Sequence, residues 1–116
     1  VFTIFDDLCI SEDTQIVYPG THDNDTLQGW INSLPDYRIE QLRKRFGEGD
    51  LFELIFKYTW EMDSYMTIFP LQDLMRLDNS ARFNLPGTVG SPNWEWKLSS
   101  IKDLDKIKKF INKVRK

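Results

Sequence analysis

Two short runs of β-favouring residues, each ended by a proline, flank the middle of the chain. Residues 14–18 (TQIVY) precede Pro19, and residues 65–69 (YMTIF) precede Pro70. The second run is almost continuously apolar, as in strands that are buried on both faces of a parallel sheet. Patterns of helical spacing lie between the two runs, and a strand–helix–strand order favours parallel strands. The sequence therefore predicts an α/β fold with about two parallel strands and three to four helices.

Three helices are predicted from apolar spacing and from signals at their ends. The first extends over about residues 35–46, with Ser33 as its capping residue. The second extends over about residues 51–62, has Asp50 as its capping residue and is apolar on more than one face. The third is capped by Ser100 and combines many lysines with one apolar stripe. The stripe consists of Ile101, Leu104, Ile107, Ile111 and Val114.

Length, charge and cysteine usage restrict the class of protein. A chain of 116 residues forms one domain or part of one, and its net charge of -3 argues against nucleic acid as a partner. No apolar run approaches the ~18 residues of a membrane-spanning helix, and no signal peptide is recognised. Cys9 is the only cysteine, so no internal disulfide forms, and structural zinc would lack ligands. These features predict a cytoplasmic protein without a metal or a membrane partner, and Val1 in place of methionine indicates a processed or excised chain.

The densest group of chemically capable side chains follows the first predicted strand. Residues 18–26 (YPGTHDNDT) contain His22, the only histidine, directly before Asp23. Side chains at the carboxyl ends of parallel strands converge on the ligand side of a sheet, where this pair could meet a substrate. The same residue types also form ordinary polar turns, because Asx side chains bond to their own backbone. Composition alone leaves both interpretations open.

The motif after the first strand resembles the signature of a known family. Residues 17–26, followed by Gly29 and Trp30, are similar to the xYxGTHDNDT…GW pattern of the 4-alpha-glucanotransferases, which are also called amylomaltases or disproportionating enzymes. A second group of segments is similar to the family's carboxyl-terminal block, PLQD…ARxNxPGT…NWxWR, in the same order. Two long motifs at compatible separation are far more specific than one short pattern. The second group comprises residues 69–74 (FPLQDL), 81–88 (ARFNLPGT) and 93–98 (NWEWKL).

The resemblance covers residues 16–98, whereas residues 1–14 show no clear match. It implies that residues 1–116 are a single partial domain, the carboxyl-terminal portion of a (β/α)8 TIM barrel. The expected parent is a 4-alpha-glucanotransferase that transfers α-1,4-glucan segments between maltodextrins by a retaining mechanism. The resemblance implies no cofactor, because the leaving group is expelled by proton transfer.

The resemblance also assigns roles to single residues. Asp23 is expected to be the carboxylate that stabilises the transition state, and His22 is expected to contact hydroxyls of the sugar in the cleaving subsite. Asn84 is expected to contact substrate, and Asn24 either contacts substrate or shapes the turn. No residue here matches the family's nucleophilic aspartate or acid/base glutamate, so the fragment alone is expected to be inactive. Three tryptophans either stack on sugars or pack, with packing favoured: Trp30, Trp94 and Trp96.

Other interpretations belong to different functional classes. A metal phosphohydrolase built on His22 and Asp23 would need several more histidines, and a hydrolase built on Cys9 and His22 has no supporting motif. The serious alternative is a catalytically inactive fragment that self-associates through uncovered apolar surface and binds no saccharide. Residues 78–96 have no period and are rich in Asn, Gly, Pro and Ser, which is typical of a lid or binding loop.

Overall fold

A computed structural model describes residues 16–63 and 65–115. The first 15 residues lie outside this range, and with them Cys9, on which the alternative of a hydrolase built on Cys9 and His22 depends. The described part contains two strands and five α-helices, one helix more than the upper expectation. Two of the helices are too short for apolar periodicity to reveal them. The helices are α1 (Leu27–Ser33), α2 (Asp36–Phe46), α3 (Leu51–Glu61), α4 (Leu71–Leu74) and α5 (Asp103–Val114).

The two strands are parallel, which confirms the prediction from their order. Strand β1 (Ile16–Val17) pairs with strand β2 (Met66–Thr67). The amide of Ile68 donates a hydrogen bond of 2.9 Å to the carbonyl oxygen of Val17, one residue beyond β2. Helices α1, α2 and α3 form the connection between the strands. Because parallel strands run the same way, the segments that follow them leave from the same edge of the sheet.

Strand β2 is not buried on both faces, so the expectation drawn from its apolar run was wrong. Tyr65 is 73% exposed, Met66 46% and Ile68 48%. Within the described residues β2 pairs only with β1, and a two-stranded sheet offers little surface to cover. An apolar run shows that a strand favours burial, but neighbouring elements decide whether it is buried.

The core forms around α3, whose apolar residues on several faces predicted such a position. Phe56 is fully buried, and its ring centroid lies 4.1 Å from that of Phe69 and 4.9 Å from that of Phe110. Burying one such ring contributes roughly 2–3 kcal/mol. The packing therefore joins α3 to α5 and to the segment that follows β2. The other buried members of this cluster are Leu27, Leu51, Phe52, Ile55 and Val114.

Helix starts agree with the prediction at α3 and differ at α2. Asp50 caps α3, because its carboxylate accepts a hydrogen bond of 3.1 Å from the amide of Phe52. Helix α2 starts after Pro35 without a side-chain cap, so the assignment of Ser33 as its capping residue was wrong. Ser33 instead closes α1, where its hydroxyl donates to the carbonyl oxygen of Trp30 at 2.8 Å.

Helix α5 is buried over only part of its predicted stripe. Lys102 occupies the N-cap, so Ser100 does not cap the helix directly, although its hydroxyl accepts from the amide of Lys102 at 3.2 Å. Ile101 consequently precedes the helix and is 81% exposed, whereas Ile107 and Val114 are buried. None of the helices in residues 16–63 and 65–115 has the length and apolar character needed to cross a bilayer.

Candidate active site

The carboxyl ends of β1 and β2 open into one cleft. The turn after β1 forms one wall, the start of α4 forms a second, and residues 82–83 and 96–98 form a third. The cleft has a volume of about 450 Å³, which suits a small-molecule ligand. The polar side chains that line the cleft are those of Thr21, His22, Asn24, Asp25, Thr26, Gln72, Asp73, Arg82 and Lys97.

Three of the four predicted site residues are in direct contact. The Oδ1 atom of Asp23 accepts a hydrogen bond of 2.8 Å from Nδ2 of Asn84, and Oδ2 lies 3.2 Å from Nε2 of His22. The side chains of His22 and Asp23 are 50% and 53% exposed. The carboxylate is therefore held on both sides while it remains open to solvent.

Asp23 lies at the rim of the cleft. Among the described residues, His22 lines the main cleft, whereas Asp23 lines a smaller recess that also contains Leu85 and Pro86. Its contact with Asn84 links two segments that are 61 residues apart in sequence. The Asp23 side chain thus joins two loops and is not confined to its own turn.

Asn24 shapes the turn, one of the two roles that the sequence left open. Its Oδ1 atom accepts from the amide of Thr21 at 2.7 Å and from the hydroxyl of Thr21 at 3.0 Å. The amide of Asn24 donates back to the carbonyl oxygen of Thr21 at 3.1 Å. This is the local bonding that makes asparagine common in turns. Asn24 also contributes to the cleft wall, so contact with a ligand stays a prediction.

Arg82 connects the turn after β1 to the loop that carries Asn84, and the sequence did not identify it. Its guanidinium forms an ion pair with Asp25 and donates to the carbonyl oxygens of Asp23 at 3.0 Å and Asn84 at 3.2 Å. The side chain of Arg82 is only 15% exposed and that of Asp25 is 29% exposed, so solvent screens the pair less than a surface ion pair. Arg82 belongs to the recognised ARxN segment, which was the one signal available.

Asp73 binds the start of α1 from the floor of the cleft. It is 2% exposed, and its Oδ1 atom accepts a hydrogen bond of 2.8 Å from the amide of Leu27. Burial raises the pKa of Asp73 to about 6, and the bond from Leu27 offsets only part of this increase. The hydroxyl of Thr26 accepts from the amide of Gly29 at 3.1 Å, and Oδ1 of Asn79 accepts from the amide of Thr26 at 3.1 Å. Residues that follow β2 therefore hold the helix that follows β1.

The three tryptophans differ in their surroundings. Trp30 packs against the core cluster, which agrees with the favoured interpretation. Trp94 is 57% exposed, so that interpretation was wrong for this residue; its ring centroid lies 4.8 Å from that of His22 and 4.9 Å from that of Phe83. Trp96 lines the cleft. Two of the tryptophans thus offer aromatic surface next to the predicted site residues.

Residues 78–96 form the long loop that the sequence predicted, with a short 3₁₀ turn at Asn79–Ala81. Asn93 fixes the middle of this loop, because its Oδ1 atom accepts from the amide of Leu85 at 2.9 Å and its Nδ2 atom donates to the hydroxyl of Thr88 at 2.8 Å. In the part of the chain that the structure describes, no three His, Cys, Asp or Glu side chains come together as a metal site would require.

Comparison with known proteins agrees with the motifs and the fold. The family model described as 4-alpha-glucanotransferase matches residues 7–103, which is most of the chain. The chain belongs to the 4-alpha-glucanotransferase family. The resemblance that was based on two motifs is thereby confirmed.

Relatives with known names support the same family. A chloroplastic/amyloplastic 4-alpha-glucanotransferase of Arabidopsis thaliana is 34% identical over 90% of this chain and 18% of its own length. A 4-alpha-glucanotransferase of Synechocystis sp. is 36% identical over 75% of this chain and 18% of its own length. The chain thus spans about a fifth of these relatives. Because the name of the plant relative places that protein in plastids, a cytoplasmic location for this chain stays a prediction.

A solved structure supports the fold. The amylomaltase from Streptococcus agalactiae, determined in complex with acarbose, superposes with a TM-score of 0.74 at 29% identity. The match covers 85% of this chain and 20% of that protein. The α/β class with two parallel strands is therefore confirmed as the architecture of an amylomaltase segment.

Proposed function

We propose that this chain is the carboxyl-terminal portion of the (β/α)8 barrel of a 4-alpha-glucanotransferase. The parent enzyme transfers α-1,4-glucan segments between maltodextrins, and this portion supplies the carboxylate that stabilises the transition state. One observation carries the proposal: the carboxylate of Asp23 contacts Asn84 and His22 beside a cleft at the carboxyl ends of parallel strands. Active sites of barrel enzymes are built at that end of the strands.

In a retaining transfer, positive charge builds up on the sugar ring as the glycosidic bond breaks. A carboxylate that is already fixed in place stabilises this charge without having to reorganise during the reaction. The hydrogen bond from Asn84 and the neighbouring imidazole of His22 fix Asp23 in this way. His22 and Asn84 both contact the carboxylate of Asp23, and in the proposal they also bind sugar hydroxyls. Asn24 lines the wall and supports the turn.

We assign the nucleophile and the acid/base to no residue of this chain. Retaining transfer requires two carboxyl groups about 5 Å apart, one as nucleophile and one as proton donor and acceptor. Asp23 alone supplies neither function. We therefore expect the isolated 116-residue chain to produce no transfer products from maltotriose.

The decisive experiment places the proposed residue in a complete enzyme. Residues 16–98 replace the matching segment of the Streptococcus agalactiae amylomaltase, and glucan transfer from maltotriose is measured. Asp23→Asn is expected to lower kcat by ~10²–10³, because it removes a preorganised charge at the developing cation. Asp36→Asn, at an exposed position in the first turn of α2, is the matched control and should leave kcat unchanged. A hybrid enzyme in which Asp23→Asn keeps full activity would refute the proposal.

A second measurement needs no hybrid. Acarbose binding to the 116-residue chain is followed by tryptophan fluorescence, because Trp94 and Trp96 border the site. Asp23→Asn is expected to weaken binding by about tenfold, the effect of losing one charged hydrogen-bond partner. Equal affinity in both chains would contradict the assignment of Asp23.

A second candidate function is self-association without saccharide binding. The observation that favours it is the exposure of Tyr65, Met66 and Ile68 along β2. An uncovered apolar strand is a template for pairing with another chain. Light scattering with and without acarbose distinguishes the two candidates. Oligomers whose size does not change when acarbose is added support self-association. A monomeric chain that binds acarbose excludes it.

A further inference from the structure

We infer that Arg82 is a positioning residue that sets the distance between Asp23 and Asn84. This inference rests on the proposed function, since it concerns the same site. The Nε, Nη1 and Nη2 atoms of Arg82 each donate to a protein oxygen in this arrangement. Arg82 holds together the two loops whose side chains form the sugar-facing contact.

The contacts of Arg82 coincide with the two ends of that contact. Its Nη2 atom donates to the carbonyl oxygen of Asp23 at 3.0 Å, and its Nε atom donates to the carbonyl oxygen of Asn84 at 3.2 Å. Its Nη1 atom bonds to the carboxylate of Asp25. The side chains of Asp23 and Asn84 then meet at 2.8 Å. The guanidinium of Arg82 therefore binds the main chain of Asp23 and of Asn84, and the side chains of these two residues bind each other.

The side-chain bond between Asp23 and Asn84 is too weak to order the two loops by itself. It lies in an exposed position, where water competes for both partners. Ordering a loop costs conformational entropy at every residue, which one exposed hydrogen bond does not offset. The Arg82–Asp25 ion pair is less exposed and contributes the missing rigidity.

Lysine cannot replace arginine at this position. The planar guanidinium directs three different nitrogen atoms to three acceptors on two segments, whereas an ammonium group presents its donors from a single atom. Arg82→Lys therefore keeps the positive charge beside Asp25 but loses the fork, that is, the set of three hydrogen bonds donated by three separate nitrogen atoms. A purely electrostatic role would survive this substitution, but a positioning role would not.

The test uses the 116-residue chain with Arg82→Lys and, as matched control, Arg76→Lys. Arg76 forms a more exposed ion pair with Asp50, and neither residue lines the cleft. The first readout is the exchange of the Asn84 side-chain amide protons with water, measured by NMR. The second is the affinity for acarbose. Arg82→Lys is expected to accelerate the exchange and to weaken acarbose binding, each by about tenfold or more, and the control should change neither.

Chemical rescue separates positioning from general destabilisation. In Arg82→Gly, millimolar guanidinium ion should restore slow Asn84 exchange, whereas methylammonium should not, because only guanidinium reproduces the fork. Slow exchange in Arg82→Lys overturns the inference, and so does fast exchange with unchanged acarbose affinity. If Asp23→Asn keeps full activity in the hybrid enzyme, the proposed function fails, while the Asn84 exchange still decides whether Arg82 holds the contact.

Discussion

Replacing Asp73 by asparagine is expected to remove a pH-dependent loss of stability. Asp73 is 2% exposed, and burial raises its pKa from the ordinary value of 3.8 to about 6. Between these two pH values the folded chain keeps a proton that the unfolded chain releases. The free energy of unfolding therefore falls as pH rises from about 4 to about 6, and this loss persists at higher pH.

The size of this loss of stability follows from the pKa shift of Asp73. A change of one pKa unit corresponds to 1.36 kcal/mol, so a shift from 3.8 to about 6 destabilises the ionised form by roughly 3 kcal/mol. Asparagine has nearly the same shape, and its amide oxygen can still accept the hydrogen bond from Leu27. It carries no charge at any pH. Relative to the unsubstituted chain, Asp73→Asn should therefore gain up to about 3 kcal/mol between pH 4 and pH 7.

Urea unfolding at several pH values, followed by far-UV circular dichroism, measures this difference. Comparing the two chains at each pH cancels the titration of all other groups. Asp50→Asn is the control, because the pKa of Asp50 is shifted in the opposite direction to that of Asp73. Burial raises the pKa of Asp50, but the hydrogen bond and charge of Arg76, together with the backbone hydrogen bonds from Phe52 and Glu53, lower it overall. The contribution of Asp50 to the free energy of unfolding is therefore lost only as pH falls below its ordinary pKa. A constant difference between Asp73→Asn and the parent from pH 4 to pH 7 would refute the reasoning.

Two further substitutions test the packing. Gly29→Ala places a Cβ atom against the side chain of Asn79, which must turn away. The amide of Thr26 then loses its acceptor, and the free energy of unfolding measured with urea should fall by about 1–2 kcal/mol. In an Asn79→Ala background the same change should be nearly neutral, and an undiminished cost there would contradict the clash. Phe56→Ala removes a fully buried ring and should cost about 3–5 kcal/mol, a large share of the stability of a small chain. Thermal melting followed by circular dichroism measures this loss of stability, with Tyr37→Ala at an exposed position as the control. Equal melting midpoints for the two variants would argue against the described core.

Local sequence patterns predicted the elements that position the site. Pro19 and Pro70 mark the places where the chain leaves the two strands, and the parallel order places both exits at one edge. The apolar faces of α3 predicted its central position, and Asp50 predicted its start. These features depend on neighbouring residues along the chain, which is why the sequence reveals them.

Contacts between distant residues were not predictable in the same way. Arg82 binds main-chain carbonyl groups, which every residue has, so no side-chain pattern indicates its partners. The carboxylate of Asp73 accepts a hydrogen bond from the first amide of α1, which lies 46 residues earlier in the sequence. Helix α1 itself is too short for its apolar period to be recognised. Exposure of Tyr65 and Met66 depends on which elements cover β2, and the residues of β2 do not specify those elements.

The amides at the start of α1 have consequences for how the whole unit holds together. Leu27 and Thr26 find their acceptors on Asp73 and Asn79, beyond the second strand. The start of α1, which follows the turn that carries His22 and Asp23, therefore depends on the segment beyond β2 for its hydrogen bonds. A substitution that loosens the segment after β2 is therefore expected to loosen the start of α1 and the cleft wall beside it as well.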